Sequence, residues 1–79
     1  MRAVITVIGK DMVGILAKVS TVCADHSINV LEVTQSILQD MFAMIMMVDI
    51  EKSNVPFTEF ADELTKLGES MHLSIQSVW

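Results

Sequence analysis

Two segments of this chain are apolar on both faces that a strand would present. Residues 4–8 read Val-Ile-Thr-Val-Ile, and residues 41–50 read Met-Phe-Ala-Met-Ile-Met-Met-Val-Asp-Ile. Strand side chains alternate, so a strand with one wet face shows a polar residue at every second position. Here only Thr6 and Asp49 interrupt the pattern. Strands of this kind belong inside a sheet, with neighbours on both sides. For residues 41–50, periodicity alone does not separate a strand from a buried helix. The tight turn at Gln39-Asp40 and the strand-like run before it make the segment the second arm of a hairpin.

The remaining elements fall around these two. Residues 2–8 form the first strand. Ile15, Leu16, Val19, Val22 and Cys23 recur at helical spacing, with Lys18, Ser20, Thr21 and Asp25 opposite. This helix ends near His26-Ser27, where a histidine suits the negative end of the helix dipole. Residues 28–39 mix Val30, Leu31, Val33, Ile37 and Leu38 with Glu32, Thr34, Gln35 and Ser36, as an edge strand does. Residues 51–54 are a loop, and Pro56 fits the first turn of a second helix. Phe57, Phe60, Ala61, Leu64, Leu67 and Met71 carry its apolar stripe, and Gly68 weakens or ends its last turn. Residues 73–79 alternate like an outer strand. The order is βαββαβ. With right-handed crossovers, it gives an α+β, ferredoxin-like domain over residues 1–79, a four-stranded antiparallel sheet with two helices on one face. Strands one and three lie in its middle.

A chain of 79 residues buries only about 60% of its unfolded surface. Yet 52% of its residues are apolar and its mean hydropathy is +0.53. The helices cover one sheet face, and because strand side chains alternate, Val4, Ile8, Met44 and their neighbours cannot all point at them, so a single domain would expose part of this set. A second copy is expected, packed on that face or extending the sheet at an edge. No apolar run reaches the roughly 18 residues of a membrane span. The single cysteine permits no internal disulfide, in keeping with a reducing cytoplasm. A net charge of −5, a single arginine and 5% aromatic residues exclude the basic, stacking surface of a nucleic-acid binder.

One loop stands out chemically. Gly9-Lys10-Asp11-Met12-Val13-Gly14 joins the first strand to the first helix. Its glycines let the backbone turn or approach something closely. Asp11 fits a structural role, accepting hydrogen bonds at the helix start. The free N–H groups there also suit a small carboxylate. The spacing resembles a phosphate loop, but Ile15 and Leu16 stand where that loop needs lysine and a hydroxyl. The loop also lacks the paired cysteines of a metal carrier and the arginine of a phosphatase. Met41, Met44, Met46 and Met47 would suit Cu(I), but alternation divides them between two faces, so they read as packing residues. Cys23 lies on a helix core face. Ser20 and Thr21 have no neighbouring base in sequence. Asn29 opens the second strand, where an amide satisfies a turn or binds a polar ligand between subunits. Neither catalysis nor a cofactor is expected.

Ile5-Thr6-Val7-Ile8-Gly9-Lys10-Asp11, then Val13-Gly14-Ile15-Leu16, then Ser27-Ile28-Asn29-Val30 and Thr34-Gln35-Ser36, resembles the ACT domain over essentially the whole chain. The resemblance is to the short UPF0237-type members. It departs at Leu31, where the pattern has a polar or acidic residue. ACT domains bind amino acids between two domains and regulate metabolic enzymes or transcription. The resemblance therefore implies that Gly9, Lys10, Asp11, Val13, Gly14 and Ile15 line one side of a site and Asn29 the other. Backbone N–H groups near Gly14 and Ile15 would hold a carboxylate. Asp11 would hold an ammonium group, assisted by the Asn29 amide oxygen. The function expected is a cytoplasmic homodimer that senses a small amino acid and modulates a partner protein, a metabolic enzyme or regulator. The alternative is a ligand-free dimeric interaction module.

Overall fold

The computed structural model describes residues 1–10 and 13–79. Its elements run β1 (Arg2–Gly9), α1 (Ile15–Asp25), β2 (Asn29–Leu38), β3 (Met41–Asp49), α2 (Phe57–Ser70) and β4 (Ser74–Val78). The strands form one antiparallel sheet in the order β2-β3-β1-β4. The two strands expected at the centre are there. Pro56 differs slightly from expectation: it precedes α2 as its N-cap, with ψ of 149°.

The alternation of β1 and β3 is resolved by their pairing. Ala3, Ile5 and Val7 of β1 lie opposite Val48, Met46 and Met44 of β3. All six are buried in the core. Val4, Thr6 and Ile8 pair with Met47, Ile45 and Ala43 on the open face. Both helices meet the core through residues at i, i+4 and i+8: Ile15, Val19 and Cys23 of α1, and Phe60, Leu64 and Gly68 of α2. That spacing keeps a stripe on one side of a helix. Phe60 is fully buried, and its loss would cost about 3–5 kcal/mol.

Two glycines serve close approach. A Cβ on Gly9 would overlap the Leu73 side chain, so Gly9 ends β1 beneath that residue rather than turning the chain. A Cβ on Gly68 would lie 2.9 Å from both Ile75 Cγ1 and the Leu73 carbonyl oxygen. Gly68 is thus required where α2 passes over the start of β4, a packing reason that the sequence reading missed. β2 carries an irregularity between Val30 and Glu32. Leu31, the residue that departs from the family pattern, is the extra residue there.

Candidate functional site

The expected site residues divide between the two ends of the sheet. At one end β1 finishes in Gly9, paired with Phe42. Lys10 follows, and its Nζ lies 3.8 Å from Asp40 Oδ2 on the β2–β3 turn. Both side chains are well exposed, so this pair adds little stability. Asp11, the residue expected to meet an ammonium group or cap the helix, lies outside the described residues. Val13 is 84% exposed. Gly14 is the N-cap of α1, with φ of 77°. This left-handed conformation is one that other L-residues adopt at a cost, and only open space surrounds the position of its missing Cβ.

The start of α1 therefore has an unusual chemistry. Its N-cap has no side chain, and its first turn carries no acidic residue. No side chain among the described residues supplies the acceptor that Ser, Thr or Asp normally gives there. The Lys18 N–H already bonds the Gly14 carbonyl, beginning the regular ladder. The N–H groups before it make up the positive end of the helix dipole, a setting that favours an anion. Ile15 contributes only backbone, because its side chain is buried in the core.

Asn29 lies elsewhere. It pairs with Asp49, which pairs with Arg2. Gly9 is seven positions from Arg2, a separation of about 23 Å along the strand. One chain thus gathers Gly9, Lys10, Val13, Gly14 and Ile15 at one end and leaves Asn29 at the other. Around Asn29 is a cleft of about 220 Å³ that also takes in Ser27, Asp49, Glu51 and Lys52. The Glu51 N–H donates to Asp49 Oδ1 at 2.9 Å. This bond, with the Met1 ammonium at 3.5 Å and Arg2 nearby, holds the Asp49 carboxyl below its usual range.

A polar junction near Asn29 was not foreseen. His26 caps the end of α1. Its Nδ1 lies 3.0 Å from Asn54 Oδ1 and its Nε2 3.1 Å from Glu63 Oε1. The Asn54 side-chain amide donates to the Asp25 carbonyl, and its backbone N–H donates to the His26 carbonyl. Only His26 had a sequence signal, its place at a helix end. Its partners stand 28 and 37 residues away.

Among the described residues, no group of three or more His, Cys, Asp or Glu side chains is arranged to hold a metal ion. Burial pushes the Cys23 thiol up to about 11, which leaves almost no thiolate near neutral pH. No helix among the described residues is long and apolar enough to cross a membrane.

Comparison with known proteins identifies the class. The family model for the ACT domain matches residues 2–77, and the chain belongs to that family. It is 46% identical over 76 residues to a UPF0237 protein of Clostridium acetobutylicum, covering 96% of this chain and 85% of that one. An ACT domain protein from Streptococcus pneumoniae has the same fold, with a TM-score of 0.84 at 32% identity, over 98% of this chain and 86% of that one. A formyltetrahydrofolate deformylase from Pseudomonas syringae superposes with a TM-score of 0.84 at 22% identity. The match covers 99% of this chain and 27% of the deformylase. That last likeness is one of fold.

Proposed function

We propose that this ACT domain is a non-catalytic, cytoplasmic regulatory module. In this reading it binds a small amino acid or similar metabolite at a homodimer interface and modulates a partner protein. The start of α1 carries the proposal: a glycine N-cap with no described side-chain cap, at the end of the sheet where Gly9, Lys10 and Val13 also lie. A carboxylate would accept the first-turn N–H groups. Asp11 and the Asn29 amide oxygen of a second copy would take the ammonium group.

The β2 edge supports the dimer. It is a ten-residue edge strand without proline, and Glu32 is its one charged residue. Ile37 and Leu38 are 71% and 68% exposed. Such an edge invites pairing with another strand. Antiparallel pairing of two β2 edges would bring the Asn29 end of each copy to the α1-start end of the other. The separated halves of the site would then meet in pairs.

The test is thermal-shift and calorimetric screening against the common amino acids. A ligand at one hundred times its Kd adds about 2.7 kcal/mol of stability. Absence of stabilisation by every amino acid at millimolar concentration would reject the ligand. The second reading, a ligand-free interaction module, is favoured by the open sheet face, where Ile8 and Ile45 are 42% and 49% exposed. It expects a dimer or heteromer whose stability is indifferent to amino acids.

A further inference from the structure

At the Asn29 end, away from the α1 start, the core opens into a hollow of about 150 Å³. Ile28, Ile50 and Phe60 form its floor, and all three are core residues. Phe57 and Trp79 form its lip, their rings edge to face with centroids 5.8 Å apart. The segment through Ser53 and Val55 supplies a wall. We propose that this hollow is a binding site for a small uncharged apolar group, about the size of one six-membered ring or a branched four-carbon chain. The proposal does not depend on the amino-acid site or on dimerisation.

Size and lining set the ligand class. A cavity of about 150 Å³ is large enough for benzene, and this hollow has that volume, open on one side past the Phe57–Trp79 lip. Cofactor and drug pockets start near 300 Å³, so a nucleotide or a larger metabolite does not fit. Met1, whose ammonium donates to Asp49 Oδ1 at 3.5 Å, completes the lining, and Ser53 is its one polar side chain, with a committed hydroxyl. It donates to the Val55 carbonyl at 2.8 Å and accepts the Val55 N–H at 3.3 Å. A charged or strongly polar group entering here would lose water without replacement. Two aromatic rings at the lip favour flat or branched hydrocarbon instead.

The wall is also tied to the rest of the domain. Asn54 lies between Ser53 and Val55 and bonds Asp25, at the end of α1, and His26, its C-cap. A group that moves residues 53–55 therefore acts on the junction three residues before Asn29. The coupling it produces equals the difference in its affinity for the two positions of that segment.

Trp79 is the single tryptophan of the chain, so the hollow carries its own fluorescent reporter. The full chain is titrated with benzyl alcohol and with 3-methylbutan-1-ol, and glycerol serves as a polar probe of similar size. The expected result is a saturable shift in Trp79 emission at millimolar probe for the two apolar alcohols and none for glycerol. Val55→Phe, which fills the hollow from its wall, reduces that shift several-fold at unchanged far-UV circular dichroism. Should this variant fail to fold, methyl NMR of the unaltered chain decides, with probe-induced shifts centred on Ile28 and Ile50. A linear response, an equal response to glycerol, persistence in folded Val55→Phe, or methyl shifts scattered over the domain would overturn the proposal.

Discussion

Nε2 of His26 lies 3.1 Å from Oε1 of Glu63, joining the end of α1 to the outer side of α2. The Nδ1 of the same ring meets the Asn54 amide oxygen. Both partners are acceptors, because the Asn54 amide nitrogen is turned to the Asp25 carbonyl. Only a doubly protonated ring donates to both. The folded chain therefore holds the His26 proton above its usual 6.5, chiefly through the Glu63 hydrogen bond and then that to Asn54. The negative charges of Glu63 and Asp25 add to this, and desolvation opposes it.

This junction makes stability depend on pH. A group with a raised folded-state pKa stabilises fully below its unfolded value and loses that contribution as pH rises through the folded value. Glu63→Gln is expected to lower Tm most below the unfolded histidine value near 6.5, where the His26 contribution is fully present. The gap from the unaltered chain should close as pH rises past the folded-state pKa. Thermal melts across this range check it, and an equal gap at both ends would refute the assignment.

Gly68→Ala sets helix propensity against packing. Alanine is the better helix former by roughly 1 kcal/mol. Its methyl would lie 2.9 Å from the Leu73 carbonyl oxygen and from Ile75 Cγ1. The Leu73 backbone has little room to retreat, because its N–H bonds the Gly68 carbonyl at 2.8 Å. Overpacking costs about 1–3 kcal/mol, so after the helix gain a net loss of up to about 2 kcal/mol is expected. In a domain of this size each kcal/mol lowers Tm by about 4–8 °C. A rise in Tm would show that packing is looser here than the distances indicate.

The sheet was largely legible in the sequence because β1 and β3 are apolar on both faces and β2 and β4 are not. That contrast puts β1 and β3 in the middle, and the tight Gln39-Asp40 turn and right-handed crossovers order the rest. Helix limits were close for the same reason: Ile15, Val19 and Cys23 leave no choice of register. The His26–Asn54–Glu63 junction was illegible, since its members are joined by the fold and by no sequence period. Gly68 looked like a helix breaker because the sequence does not show that β4 passes beneath it. Gly9 and Asn29 could be named as candidate site residues from the family pattern. That they stand at opposite ends of the sheet follows only from the register of Gly9 with Phe42 and of Asn29 with Asp49.

The β2 edge can be tested apart from any ligand. Ile37 and Leu38 are highly exposed, and substitution at such positions normally changes stability by less than about 0.5 kcal/mol. Lysine on an edge strand blocks pairing with another strand. If two β2 edges pair as proposed, Ile37→Lys combined with Leu38→Lys should shift sedimentation from dimer to monomer at unchanged far-UV circular dichroism, and lower Tm only by the concentration-dependent part that dimerisation contributes. A double variant that remains dimeric would move the interface to the open sheet face.

The two halves of the site give the most direct test of the proposed function. If the α1 start of one copy works with Asn29 of the other, each dimer has two sites, each assembled from both chains. Asp11→Ala removes the proposed ammonium partner from the loop half. Asn29→Ala removes the other half. Either variant alone is expected to lose amino-acid binding, because both of its sites lack one component. In a mixed dimer one site unites the two damaged halves, while the other unites two intact halves. Random mixing of equal amounts makes about half the dimers mixed, each with one working site, so binding capacity returns to about a quarter of the unaltered value. Calorimetry after refolding the variants together measures that fraction. A site built within a single chain gives no recovery on mixing, whatever its affinity.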